Sequence, residues 1–213
     1  MSYPTVSCKL IGIHGHAGSG KDTVADYIRT VHANTWKLAF AKALKESCAK
    51  LFGIHVDNFS DPDWKEVPDE YWGLSPRQMA QFFGTEMVRE TLPRLLPAVG
   101  SNFWIYRLAM TLNGLNESMP YDSDDVVVIP DVRFQNEYDW IILNGGVIIH
   151  LTRPGADGIV GIPSHASEAG ITRIHSTNTY ELENTGSLDD LHAKVEDILT
   201  EANVYPFDNP DSF

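Results

Sequence analysis

Apolar positions fall along the chain in short blocks with two different spacings. Residues 6–14 are mostly apolar and run into Gly15, which predicts a buried strand entering a glycine-rich turn. Beyond Lys21 the spacing changes. Val24, Tyr27, Ile28 and Val31 fall at i, i+3, i+4 and i+7, one face of a helix. A second short strand is predicted over 36–40, then a helix over 41–52 stopped by Gly53. Ser75-Pro76 puts a cap residue and a first-turn proline at the start of the next helix, which carries Arg77, Gln81, Glu86 and Arg89. Met79 and Phe82 read as its core positions. Another helix is predicted over 102–112.

The second half of the chain continues the alternation. The unbroken apolar run 126–130 predicts a strand buried on both faces, as in a parallel sheet. A helix over 134–143 ends at Asn144-Gly145-Gly146, and a buried strand follows over 147–151. A last strand is predicted over 177–182. Ser187 then caps a final helix with Leu188, Leu191, Val195, Ile198 and Leu199 as its stripe. Strands alternating with helices predict an α/β fold with a mainly parallel central sheet. Three stretches lack a period: the acidic connection 60–75, the Gly- and Pro-punctuated 153–173, and the tail 203–213. The first is long enough to be a functional loop and the second reads as a lid.

Composition narrows the partners. The chain has 213 residues with 43% hydrophobic and 21% charged, which excludes wholesale disorder. Sixteen Lys and Arg against 29 Asp and Glu leave a net charge of −13. Such a chain repels nucleic-acid polymers and anionic membranes, while a local basic pocket for a small anion stays open. No run reaches the ~18 apolar residues of a membrane span, and residues 1–9 lack the charge and apolar core of a signal peptide. A soluble cytoplasmic protein is expected. Cys8 and Cys48 form no CxxC pair and are expected as two reduced, semi-buried thiols.

The strongest motif is Gly15-His-Ala-Gly-Ser-Gly20-Lys21, placed after a strand and before a helix. Glycines let backbone N–H groups approach a phosphate, the helix N-terminus adds partial positive charge, and Lys21 brings a full one. The Ser or Thr that usually follows the lysine and holds magnesium is replaced by Asp22, with Thr23 next. Either could hold the ion, and Asp22 could equally be a favourable first-turn acid. The second motif is Asp131-Val-Arg133-Phe-Gln-Asn-Glu137. A carboxylate at the end of a buried parallel strand faces the crevice where ligands of such sheets bind. The bland alternative is a structural ion pair of Arg133 with Asp131 or Glu137. Arg77, Arg107, Arg133 and Arg153 are candidates to clamp phosphates.

Together these segments resemble the deoxynucleoside monophosphate kinases of bacteriophages. The resemblance rests on Gly18-Ser-Gly-Lys-Asp-Thr23, Ala39-Phe-Ala-Lys-Ala-Leu-Lys45, Pro76-Arg-Gln-Met-Ala-Gln-Phe-Phe-Gly84-Thr-Glu86, Asn102-Phe-Trp104 and Asp131 to Glu137. Gly145 to Arg153-Pro and His165-Ala-Ser-Glu168 complete it. It implies a P-loop kinase fold, one domain over 1–213. The core would take about 6–58, 125–152 and 174–200, an acceptor-binding helical region about 59–115, and a mobile lid about 153–173. It implies transfer of the γ-phosphoryl group of ATP, with Mg²⁺, to a deoxynucleoside 5′-monophosphate. Gly15, Gly18, Ser19, Gly20, Lys21, Asp22, Thr23 and Arg153 would bind ATP. Arg77, Gln81, Gly84, Trp104 and Arg107 would bind the acceptor. Lys21, Asp131, Arg133 and Glu137 would line the reaction centre, with Arg133 and Glu137 also touching the acceptor. Asp22, Thr23 and Asp131 would hold the metal. The resemblance is compatible with a homodimer and implies a phage protein in the host cytoplasm. Kinases of other small phosphates, such as phosphomevalonate or dephospho-coenzyme A, and a non-catalytic ATP-binding regulator share the loop and remain alternatives.

Overall fold

The computed structural model describes residues 3–114, 121–123, 125–156, 171–172 and 178–204. Five parallel strands form one sheet: β1 (Lys9–His14), β2 (Thr35–Lys37), β3 (Val126–Val132), β4 (Val147–Thr152) and β5 (Thr179–Glu183), in the order β2-β3-β1-β4-β5. The chain leaves central β1 for β2 and β3 on one side and then crosses to β4 on the other. The carboxyl end of β1 is therefore the point where connections diverge, which is where an open parallel sheet binds ligands.

Strand pleating sorts the apolar runs to two faces. Ile11, Ile13, Val126, Val128 and Ile149 face α1 (Lys21–Val31) and α6 (Leu188–Glu201), meeting Val24, Ile28, Leu191 and Val195. Leu10, Val127, Ile129 and Ile148 face the other way, against Ile105 and Leu108 of α4 (Phe103–Leu112) and Tyr138, Trp140 and Ile141 of α5 (Gln135–Leu143). A Cβ at Gly12 would stand 2.6 Å from Ile148 and 2.7 Å from Ile141, so this glycine lets α5 close onto the sheet. A third cluster joins α2 (Lys42–Phe52) to α3 (Pro76–Phe82) through Cys48, Ala49, Phe59 and Met79. Both cysteines are free and buried, and burial pushes the Cys8 thiol up to about 12 and Cys48 to about 11.

The predicted caps form. Ser75 and Gln78 make a reciprocal capping box at α3, as do Ser187 and Asp190 at α6. Three expectations need correction. The predicted strand 36–40 stops at Lys37, because the chain turns toward α2 after Leu38 donates to the Val128 carbonyl at 3.0 Å. Phe82, read as core, is 52% exposed. Phe83, four residues after Met79, packs against that cluster instead, and Phe83–Thr91 then continues α3 with π-helical winding. The last strand begins at Thr179. No described helix is long and apolar enough to cross a membrane.

Candidate active site

The phosphate loop spans 15–20 between β1 and α1. A Cβ at Gly15 would come within 2.2 Å of the Leu151 carbonyl oxygen, so the loop can lie flat against β4 only with glycine there. Gly20 has φ +105°, a left-handed conformation, and precedes the first residue of α1. Asn184, just past β5, donates to the Ser19 carbonyl at 2.9 Å and ties the loop down. Lys21 reaches back over the loop, its Nζ donating to the carbonyls of Gly15 at 2.7 Å and His16 at 2.6 Å. Beneath the loop His14 contacts the Val132 carbonyl through Nδ1 at 3.0 Å and faces His150 at 5.1 Å between ring centroids. Burial lowers the His14 pKa, and His150, Lys21 and His16 lower it further against the pull of that carbonyl.

The second motif divides its labour. The two oxygens of Asp131 accept the backbone N–H groups of Phe40 at 3.0 Å and Ala41 at 2.9 Å, fixing the start of α2. Glu137 is 2% exposed. Its Oε2 accepts the N–H groups of Arg133 at 2.9 Å and Phe134 at 3.1 Å, while Oε1 pairs with Arg89. Glu137 thus forms an ion pair with Arg89, a residue 48 positions away. Arg89 also donates to the Ser101 carbonyl and lies 3.8 Å over the Phe134 ring. Burial pushes the Glu137 carboxyl pKa up, opposed by the Arg89 charge.

The structure sorts the remaining predicted residues into two places. Gly18, Arg77 and Arg153 line one polar crevice of about 490 Å³, together with Ala17 and Lys65. Arg77 pairs there with Glu66 at 2.5 Å between Nε and Oε1, and its N–H donates to the Lys65 carbonyl. Trp104 and Arg107 line a separate, mainly apolar cavity of about 360 Å³, with Phe83, Met87, Leu92 and Phe103. Trp104 is buried and its indole N–H donates to the Gly84 carbonyl at 3.0 Å, while Arg107 donates to Thr111 at 2.7 Å. The close approach at Gly84 is to Leu44, whose Cδ2 would lie 2.7 Å from a Cβ. Gln81 is buried in α3. His165 and Glu168, and most of the expected lid, lie outside the described residues.

A magnesium ion beside this loop needs only one or two protein oxygens, since phosphates and water supply the rest. The residues present fit it. Among the described residues, the buried Ser19 hydroxyl has no hydrogen-bond partner. Asp22 presents a carboxylate whose side chain is 80% exposed, held by Lys37 at 2.8 Å, and Thr23 is exposed beside it. Lys37 also pairs with Asp26 at 3.1 Å. Sequence reasoning named Arg89 among the polar residues of its helix without giving it a role, and named none of Lys37, Lys65 and Asn184.

Comparison with known proteins identifies the family. The sequence profile described as deoxynucleotide monophosphate kinase matches residues 65–195. A putative deoxynucleotide monophosphate kinase of Acanthamoeba polyphaga mimivirus is 33% identical over 188 residues, covering 87% of this chain and 93% of its own. The deoxynucleoside-5′-monophosphate kinase of Escherichia phage T5 is 26% identical over 60% of this chain and 69% of its own. The deoxynucleotide monophosphate kinase of Enterobacteria phage T4 is also 26% identical, over 62% of this chain and 47% of its own. With a profile match over more than half its length and a relative of this identity and coverage, the chain belongs to the deoxynucleotide monophosphate kinase family.

Proposed function

We propose that the polar crevice transfers the γ-phosphoryl group of ATP to the 5′-phosphate of a deoxynucleoside monophosphate, releasing ADP and the diphosphate. The observation that carries this reading is the gathering of Lys65, Arg77 and Arg153 around Gly18 of the phosphate loop, in a chain of net charge −13. Cations concentrated against the general charge favour a polyanionic ligand.

In this reading Gly15, Gly18, Ser19, Gly20 and Lys21 cradle the donor phosphates, and Arg153 covers them. Asp22 and Thr23, with the Ser19 hydroxyl, would hold Mg²⁺, which would supply charge neutralisation on the donor phosphates. Lys21 moves from the Gly15 and His16 carbonyls onto the phosphates. Arg133, at the end of β3, faces the charge that develops on the transferred group. Asp131 and Glu137 act through what they hold: Asp131 the start of α2, Glu137 the backbone at Arg133. Arg77 and Gln81 receive the acceptor, and Gly84, Trp104 and Arg107 shape the region behind it. One acceptor oxygen forms the new bond to the γ-phosphorus while the bond to the β–γ bridging oxygen breaks. The acceptor phosphate is largely deprotonated at neutral pH, so the step needs no strong general base. We place the reaction in the cytoplasm of the infected cell, on small-molecule substrates alone.

The test is incubation with ATP, Mg²⁺ and each of the four deoxynucleoside monophosphates, their ribo forms, phosphomevalonate and dephospho-coenzyme A, with products resolved by chromatography. Equal amounts of ADP and a deoxynucleoside diphosphate are expected from one or more deoxynucleotides. Failure with every nucleotide overturns the proposal.

A further inference from the structure

We propose that Lys45 grips the phosphate of the acceptor nucleotide, an assignment that rests on the kinase reading above. Lys45 belongs to the segment Ala39 to Lys45, to which no role has yet been given. Asp131 pins the N–H groups of Phe40 and Ala41, and the N–H of Lys45 donates to the Ala41 carbonyl at 2.9 Å. Lys45 therefore stands one helical turn beyond the carboxylate at the end of β3, on the same side of α2 as Ala41.

Its ammonium lacks a dedicated counter-charge. Nζ donates to the Ser60 hydroxyl at 2.9 Å, a neutral partner. Among the described residues no carboxylate lies within ion-pair distance of it. Asp131 spends both oxygens on backbone N–H groups, and Asp22 is engaged by Lys37. Asp131 is the strongest charge acting on the amine and favours its charged form, as Asp22 does more weakly, while Arg133 from the end of β3 and Lys65 from the stretch after Ser60 oppose them. Burial is the largest influence and lowers the amine's pKa. A partly desolvated ammonium with a hydroxyl partner and cationic neighbours is costly until an anion joins it.

The acceptor phosphate fits better than the donor's. Donor phosphates belong to the loop and to the start of α1. Lys45 instead hydrogen-bonds the stretch after α2, whose Lys65 carbonyl holds the N–H of Arg77 and whose Lys65 side chain lines the crevice. Ala43 and Ser47, which line the apolar cavity, are each about 200° around α2 from Lys45, so the amine points away from that cavity.

Calorimetric titration of the full chain with a deoxynucleoside monophosphate that the wild type phosphorylates tests this. Lys45→Met is expected to weaken monophosphate binding at least ~10-fold, with Lys45→Arg recovering part of it. Binding of ATP and of the corresponding nucleoside, which lacks the phosphate, should change less than ~2-fold. Ser60→Ala, which releases the amine, should bind the monophosphate as tightly as wild type or tighter. Unchanged monophosphate binding in Lys45→Met overturns the assignment. So does an equal loss for the nucleoside, or a Ser60→Ala variant that reproduces the Lys45→Met loss, since either would mean a structural role. A wild type that phosphorylates no deoxynucleotide sinks the kinase reading itself, a separate result.

Discussion

The Arg89 guanidinium and the Glu137 carboxylate form an enclosed ion pair, Arg89 8% and Glu137 2% exposed, that clamps the π-helical segment to the start of α5. Removing one partner of such a pair costs about 3–5 kcal/mol, because the other charge stays buried alone. Arg89→Met should therefore lower stability by that amount in urea unfolding, and adding Glu137→Met should recover part of it. The deficit should depend on pH. Without Arg89 the Glu137 pKa rises further above its ordinary 4.5, so the folded state binds a proton that the unfolded state lacks. Stability of Arg89→Met should then fall as pH rises above about 4.5, and its gap to wild type should widen.

Lys21 donates to the Gly15 and His16 carbonyls of the loop, which orient the amine more than they hold the core, so its removal should separate activity from folding. Lys21→Ala is expected to reduce kcat by two to three orders of magnitude, as for loss of one preorganised charge-stabilising group. Its cost in stability should be no more than about 1.5 kcal/mol. Product chromatography and urea unfolding on the same preparation check both halves.

Asp131 and Arg133 sit two residues apart yet should fail differently. Asp131→Asn places an amide where the carboxylate received two backbone N–H groups, leaving one donor orphaned at a cost of about 1–3 kcal/mol. The start of α2 should loosen with it, seen as faster amide exchange at Phe40 and Ala41. Arg133→Ala should stay folded, with the circular dichroism of the wild type, and lose at least about a hundredfold in kcat.

His14 gives the protein an acid-sensitive point under the phosphate loop. Its folded pKa lies below the ordinary 6.5, so on acidification the unfolded chain takes up the proton first. Stability should fall as pH drops through about 6.5 and level off once the folded histidine has also protonated. His14→Asn, which can still donate to the Val132 carbonyl, should flatten that part of the urea-midpoint profile.

Much of the scaffold could be read from residue order because its causes are local. The apolar runs of β1, β3 and β4, the Ser75 and Ser187 caps, and the glycine-rich loop before Lys21 each act through neighbours in the chain. What escaped notice acts across distance. Asp131 meets the start of α2 across 90 residues, and Arg89 meets Glu137 across 48. Both pairings depend on which strands lie side by side, and no spacing within a segment encodes that. Phe82 was misplaced for a different reason: its neighbour Phe83 takes the inward place beside Met79.

The π-helical winding of Phe83–Thr91 sets the spacing of one wall of the apolar cavity. Phe83, Met87, Val88 and Leu92 all face it, at steps of four and five residues, where an α-helix would carry a fixed five-residue step well off the line. A single-residue deletion between Phe83 and Thr91 would let the segment tighten to ordinary α pitch at little local cost. Tightening to α pitch without such a deletion would instead rotate the residues beyond it, swinging Arg89 off Glu137 and Leu92 out of the wall. The segment thus behaves as a gear with one extra tooth, whose length and winding are matched to each other.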